Sequence, residues 1–131
     1  MRWGICVCLL LIAPLLEAAQ LRELRVWDSP TSTRVVFDLS AAAQPDVFTL
    51  DSPHRVVIDV PALDAASVAR AARAIPKGLV QRVRSGPRAE GIRVVLEVGQ
   101  AVKVQSFVAA PNEQYGHRII VDLAAAALAP A

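Results

Sequence analysis

Alternation of apolar and polar positions recurs four times along this chain, in Arg34-Val35-Val36-Phe37-Asp38-Leu39, Arg55-Val56-Val57-Ile58-Asp59-Val60, Arg93-Val94-Val95-Leu96-Glu97-Val98 and Arg118-Ile119-Ile120-Val121-Asp122-Leu123. Side chains of a strand point alternately to opposite faces, so each copy has a purely aliphatic face and a second face built of Arg, a β-branched residue and an acid. Enrichment in β-branched residues favours strand over helix, and a core covering one side only is what such alternation predicts. All four copies are expected to be core strands.

The remaining apolar runs complete two similar halves. In the first, a strand over Leu21–Trp27, a turn over Asp28–Ser32, a strand over Arg34–Leu39, a short strand over Val47–Leu50 and a strand over Arg55–Val60 follow in order. In the second, the order repeats as Val80–Arg84, a turn over Ser85–Gly91, Arg93–Val98, Val102–Val108 and Arg118–Leu123. Arg93 follows Arg34 by 59 residues, Arg118 follows Arg55 by 63, and Pro30 and Pro87 fall in corresponding hairpins, so the chain is an internal duplication. Between the halves the period changes: Asp64 is placed to cap a helix over Ala65–Ala74, with Val68, Ala71, Ala72 and Ile75 on one side, and Pro76 ends it.

The predicted fold is therefore all-β, a β-sandwich of two similar four-stranded sheets with one short connecting helix. Each half is expected to form one sheet. Val35, Phe37, Leu39, Val56, Ile58 and Val60 then meet Val94, Leu96, Val98, Ile119, Val121 and Leu123 across the interior. The outer faces carry Arg34, Val36, Asp38, Arg55, Val57 and Asp59 on one sheet and Arg93, Val95, Glu97, Arg118, Ile120 and Asp122 on the other. A central β-branched residue in each strip predicts apolar surface on both faces, and a charge at Val57 or Ile120 is expected to be tolerated where one at Ile58 or Val121 is not.

Composition narrows the function. The 131 residues, 54% hydrophobic, suffice for one domain with its own core. A formal net charge of +2 and the absence of a basic cluster interleaved with aromatics speak against nucleic acid. Arg2 followed by the apolar run Ile5–Leu16 and by the small residues Ala18 and Ala19 predicts a cleavable secretory signal over 1–19, with no membrane attachment after cleavage. Both cysteines, Cys6 and Cys8, fall within it, so residues 20–123 are expected to form a domain without thiol chemistry, and the Ala/Pro-rich 124–131 begins a linker.

Within that domain Phe48-Thr49-Leu50-Asp51-Ser52-Pro53-His54-Arg55-Val56-Val57-Ile58-Asp59-Val60, with Tyr115-Gly116-His117-Arg118-Ile119-Ile120-Val121-Asp122-Leu123 as its second copy, resembles the motif of the AMIN domain. That family is the amino-terminal module of periplasmic N-acetylmuramoyl-L-alanine amidases and also occurs in type IV pilus secretins. The resemblance covers Leu21–Leu123. It implies a periplasmic, non-catalytic module that binds peptidoglycan and places a zinc amidase of cell separation at the division septum, with envelope or divisome proteins as further partners. Carried onto this chain, the binding features fall on the twelve outer-face residues named above. The secretin resemblance implies, as the alternative, a module that docks an envelope protein.

No enzyme chemistry is expected of the chain itself. His54 and His117 sit at matching places in the two copies, Glu23, Glu90, Glu97 and Glu113 lack zinc-ligand spacing, and neither a Gly-x-Ser-x-Gly elbow nor a Cys/His pair is present. No cofactor or metal is expected. If the arginines are fully occupied by their neighbouring acids, the next candidate site is Trp27, Tyr115 and the loop from Ala109 to His117.

Overall fold

The computed structural model describes residues 4–6, 8, 19–71 and 77–126. Eight strands and one helix follow in the order β1 (Leu21–Asp28), β2 (Ser32–Leu39), β3 (Asp46–Leu50), β4 (Arg55–Pro61), α1 (Ala65–Ala71), β5 (Val80–Arg88), β6 (Gly91–Val98), β7 (Val102–Ala109) and β8 (His117–Ala125). They form two antiparallel four-stranded sheets, and the duplicated order of elements is the predicted one.

The sheets do not correspond to the halves. One has the strand order β1-β2-β8-β7 and the other β3-β4-β6-β5, so each combines one hairpin from either half. The expectation of one sheet per half is corrected here. In the observed pairing Arg34 stands opposite Asp122 and Asp38 opposite Arg118, and likewise Arg55 opposite Glu97 and Asp59 opposite Arg93; two strips of one half would match charges equally, so the strips by themselves do not select the partner strand. Opposite charges directly across a strand pair are favourable and like charges are not.

Inward, the aliphatic faces meet as predicted. Val35, Phe37, Leu39, Val56, Ile58, Val60, Val94, Leu96, Val98, Ile119, Val121 and Leu123 all belong to one buried cluster, joined by Leu21, Leu24 and Val80 from the edge strands β1 and β5 and by Ile92 of β6. Burial of a single side chain of this size is worth about 1.5–3 kcal/mol, so this layer is the main source of stability.

One end of the sandwich is covered by the connector. Asp64 caps α1 as expected, its Oδ2 accepting from the Ser67 backbone N–H at 2.9 Å. Ser67 in turn donates its hydroxyl to the Asp64 carbonyl at 2.7 Å and accepts the Leu21 N–H at 2.9 Å, which ties the helix to β1. Val68 is fully buried beside them. The expected continuation through Ala72, Arg73, Ala74 and Ile75 lies outside the described residues.

The hairpin of β5 and β6 differs from its prediction. The turn expected over Ser85–Gly91 is only Ala89 and Glu90, and β5 runs on to Arg88 with Pro87 paired to Ile92. β5 is an edge strand, where a proline lacking an N–H leaves no ladder bond broken, so Pro87 and Pro30 do not occupy equivalent turns. Gly91 is required at the end of the hairpin, because a Cβ there would strike the Val60 carbonyl oxygen of β4.

Candidate functional site

Both outer faces are laid out in three rows. On the first sheet Trp27, Arg34, Asp122 and Gln105 are neighbours across β1, β2, β8 and β7, followed by Arg25, Val36, Ile120 and Phe107, then by Glu23, Asp38, Arg118 and Ala109. On the second the corresponding rows are Gly86, Arg93, Asp59 and Asp46; Arg84, Val95, Val57 and Phe48; and Arg82, Glu97, Arg55 and Leu50. The twelve predicted residues are therefore all on outer faces. They are brought together as Arg34, Val36, Asp38 with Arg118, Ile120, Asp122, and as Arg55, Val57, Asp59 with Arg93, Val95, Glu97, which corrects the predicted grouping by half.

The four arginines of the strips fall into two classes. Arg34 holds Asp122 through a two-pronged pair, Nε to Oδ1 at 2.7 Å and Nη2 to Oδ2 at 2.9 Å. Arg93 holds Asp59 in the same way at 2.8 and 2.9 Å. Asp38 and Glu97, in contrast, are taken by the edge strands: Asp38 by Arg25 at 2.7 and 3.0 Å, and Glu97 by Arg84 at 3.0 Å. Arg118 and Arg55 consequently have no acid within salt-bridge distance among the described residues. A repeat period of 59 residues connects Arg25 with Arg84, and it was the available sequence signal for these edge-strand arginines.

Ionisation follows this pairing. The hydrogen bond from Arg93 holds the Asp59 carboxyl below the usual carboxylate range, outweighing the opposing effect of burial, and Arg93 and Arg88 add Coulombic attraction. Hydrogen bonds to Asp38, Asp122 and Asp59 raise Arg25, Arg34 and Arg93 above the usual arginine value.

The central aliphatic residues are not the exposed strips that were expected. Val36, Val57 and Ile120 are buried, and only Val95 is partly accessible. Aromatic and guanidinium groups lie beside and over this row. Phe48 neighbours Val57 with Arg93 at 5.5 Å from its ring centre, and Phe107 neighbours Ile120 with Arg34 at 5.8 Å. Phe48 and Phe107 are again 59 residues apart. These stacked arginines gain from the ring quadrupole, and the apolar accessible surface of the face is moved from the valines to the rings.

The two faces differ in their aromatic residues. Trp27 on the first sheet corresponds to Gly86 on the second, and the loop before β8 carries Tyr115 where the loop before β4 has Ser52. That loop is closed on itself: Asn112 Oδ1 accepts from the N–H groups of Gln114 and Tyr115 at 2.9 and 2.8 Å, and the Asn112 N–H donates to the Tyr115 carbonyl at 2.8 Å. Arg25 and Arg118 lie 5.2 and 5.0 Å from the centre of the Tyr115 ring. Arg118 also donates from Nε to Gly116 and from Nη2 to Ala110, at 3.3 Å each, which leaves Nη1 unused.

Shallow grooves border these features. One of about 530 Å³ runs past Trp27, Arg34, Lys103, Gln105 and Asp122, and one of about 290 Å³ lies beside Tyr115, Arg25, Asp38 and Gln114. A third, about 560 Å³, lies at the end of the second sheet between Pro45, Asp46, Asp59, Arg88 and Glu90. The two histidines stay apart from any ligand set; among the described residues no three His, Cys, Asp or Glu side chains are grouped as a metal would need.

Comparison with known proteins places this geometry in a family context. The AMIN domain matches residues 23–123. An N-acetylmuramoyl-L-alanine amidase AmiC of Neisseria meningitidis serogroup B is 28% identical over 116 residues, which are 86% of this chain and 28% of that protein. The AmiC of Escherichia coli O6:H1 is 29% identical over 113 residues, 83% of this chain and 27% of the relative. The chain thus spans little more than a quarter of the length of these relatives.

Proposed function

The chain belongs to the AMIN domain family, and we propose that it is a non-catalytic peptidoglycan-binding module that is exported to the periplasm and directs an N-acetylmuramoyl-L-alanine amidase to the division septum. The observation that carries this reading is the pair of arginines, Arg118 and Arg55, which have no acid partner among the described residues and lie at matching places on the two outer faces. Peptidoglycan is a carboxylate-bearing polymer, and an arginine fork donates two parallel hydrogen bonds to a carboxylate. The other ten candidate residues then serve the two arginines, the acids holding neighbouring guanidiniums in place and the aliphatics, buried except for the partly accessible Val95, supporting the surface.

The amidase relatives give the reading its chemistry. Hydrolysis of an N-acetylmuramoyl-L-alanine amide adds water across the C–N bond, so alanine leaves as a free amine and the lactyl group on the sugar becomes a carboxylate. Wall in the neighbourhood of such an enzyme therefore gains carboxylates attached directly to sugar rings. Export rests on residues 1–19 acting as a signal, and the alanine-rich segment after β8 serves as a linker.

Sedimentation with purified sacculi tests the proposal. The chain is expected to sediment with the wall, and Arg55→Ala with Arg118→Ala to reduce that fraction at least tenfold while the circular dichroism of the domain is kept. A wild-type chain that stays in solution refutes the function.

A further inference from the structure

Resting on the peptidoglycan reading, we infer that the face of β1, β2, β8 and β7 is the sugar-reading face, and that its ligand is a glycan strand whose stem peptides have been removed, held by Trp27, Tyr115 and Arg118. Three observations lead there. Exposed aromatic side chains are concentrated on this face: Trp27 is 58% accessible, Phe107 46% and Tyr115 43%, whereas the large exposed apolar side chain of the opposite face is Leu50. Aromatic rings left open to water beside unused hydrogen-bond donors suit the mixed surface of a pyranose, with an apolar face and a polar rim.

Position is the second observation. Trp27 is in the row of Arg34, Tyr115 lies against Arg118 in the row of Asp38, and Asp38 follows Arg34 by four steps along β2, about 13 Å at roughly 3.3 Å per residue. Two flat surfaces at that separation along one strand direction are further apart than neighbouring pyranose rings, and so suit non-adjacent rings of a linear polymer better than a single small ligand. The partly exposed Phe107 lies in the row between them.

The third is the distance between charge and ring. Arg118 is 5.0 Å from the centre of Tyr115, so a carboxylate on its free Nη1 must be attached close to the sugar stacked on that ring. A lactyl carboxylate satisfies this, being joined to the sugar through a single ether. The carboxylates of a stem peptide stand further from the ring, and in an intact stem the lactyl group is a neutral amide. Removal of the stem thus creates the charge that Arg118 is placed to meet.

Trp27 provides the readout. In the full chain carrying Trp3→Phe it is the sole indole, so its emission reports on this face alone. Soluble glycan strands freed of stem peptide are expected to shift that emission, and the same strands with their carboxylates converted to amides to bind at least tenfold more weakly. Tyr115→Ser is expected to weaken binding tenfold or more, Arg118→Ala to abolish the preference for the carboxylate form, and Leu50→Ala on the opposite face to change nothing. Binding of Trp27→Ala and Tyr115→Ser to stripped strands at the wild-type level, by sedimentation with strands coupled to beads, overturns the inference. So does indifference to amidation. Either result, with the wild type still sedimenting with sacculi, leaves the wall-binding function in place, whereas failure of the wild type on sacculi removes both.

Discussion

Arg34 and Asp122, 88 residues apart in the chain, face one another across β2 and β8 in a two-pronged ion pair at 2.7 and 2.9 Å. The contact explains why the strips are Arg first and acid fifth: any two such strands laid antiparallel in this register set each arginine opposite an acid. It also separates arginines that maintain the sheet from arginines that can meet a ligand.

Arg34→Ala with Arg93→Ala therefore should leave most sacculus binding intact, and Arg55→Ala with Arg118→Ala should remove it. A charge-assisted hydrogen bond is worth about 1.5–3 kcal/mol, enough for a loss of tenfold or more from the second pair. The exposed Arg34–Asp122 pair contributes only about 0.2–1 kcal/mol to stability, so folded material is expected for Arg34→Ala. Sedimentation at two salt concentrations gives the comparison; equal losses from both double variants would remove the distinction.

Ile58→Asp and Val121→Asp are expected to unfold the domain, since each puts an unpaired carboxylate into the interior at a cost of several kcal/mol. Val57→Asp belongs with them. Val57 is 1% exposed although it faces outward, so the tolerance expected from alternation alone is replaced by a destabilisation, smaller than that at Ile58 because water is one side chain away. Thermal melts of the three variants test the order.

How far the sequence reveals this molecule depends on the kind of question. Alternation identified twelve interior residues of β2, β4, β6 and β8, because a strand's period is fixed by backbone geometry. It said nothing about which strands pair: sheets built within halves or between them bury the same twelve side chains and match the same charges, since every strip carries its arginine and its acid at the same spacing. Val57 and Ile120 were misjudged for a related reason, since alternation assigns a face and not what long neighbours such as Phe48 and Arg93 do above it. Arg25, Arg84, Phe48 and Phe107 were legible through the 59-residue period.

Ser67→Ala should cost about 1–3 kcal/mol, the penalty for a buried donor left without an acceptor. The Leu21 N–H loses its partner, and the helix loses its link to β1. Hydrogen exchange at Leu21, compared with the global unfolding free energy, distinguishes local release from general destabilisation. Unchanged protection would refute this role for Ser67.

Gly91→Ala brings a methyl group into the Val60 carbonyl, and the expected loss is about 2 kcal/mol or more, in the range of backbone strain and overpacking. Ala89 presents the opposite case, with φ at 48° in the adjacent turn. Ala89→Gly relieves a left-handed conformation that costs a residue with Cβ about 1 kcal/mol. A pair of denaturation curves showing both substitutions neutral would contradict the hairpin geometry.

Acid should weaken the fold through Asp59. Its folded pKa lies below the ordinary carboxylate value because Arg93 hydrogen-bonds the charged form, so its contribution is complete above the unfolded pKa of about 3.9. That contribution is lost as pH falls through the folded value. Melting temperatures taken from pH 6 down to pH 2 are expected to fall less steeply below pH 4 in Asp59→Asn than in the wild type, and parallel slopes would exclude the pair as a source of acid sensitivity.

Interleaving of the sheets bears on the ancestry of the chain. A single half, β1 to β4, owns one hairpin of each sheet and can complete neither, but a second copy turned about a twofold axis supplies both missing hairpins. The pairing seen within this chain is then that of two identical subunits, and closed twofold dimers are the commonest homo-oligomers. Within one chain, with the segment containing α1 as the join, each face is free to change alone. Trp27 opposite Gly86 and Tyr115 opposite Ser52 are the divergence that a symmetric dimer could not have made.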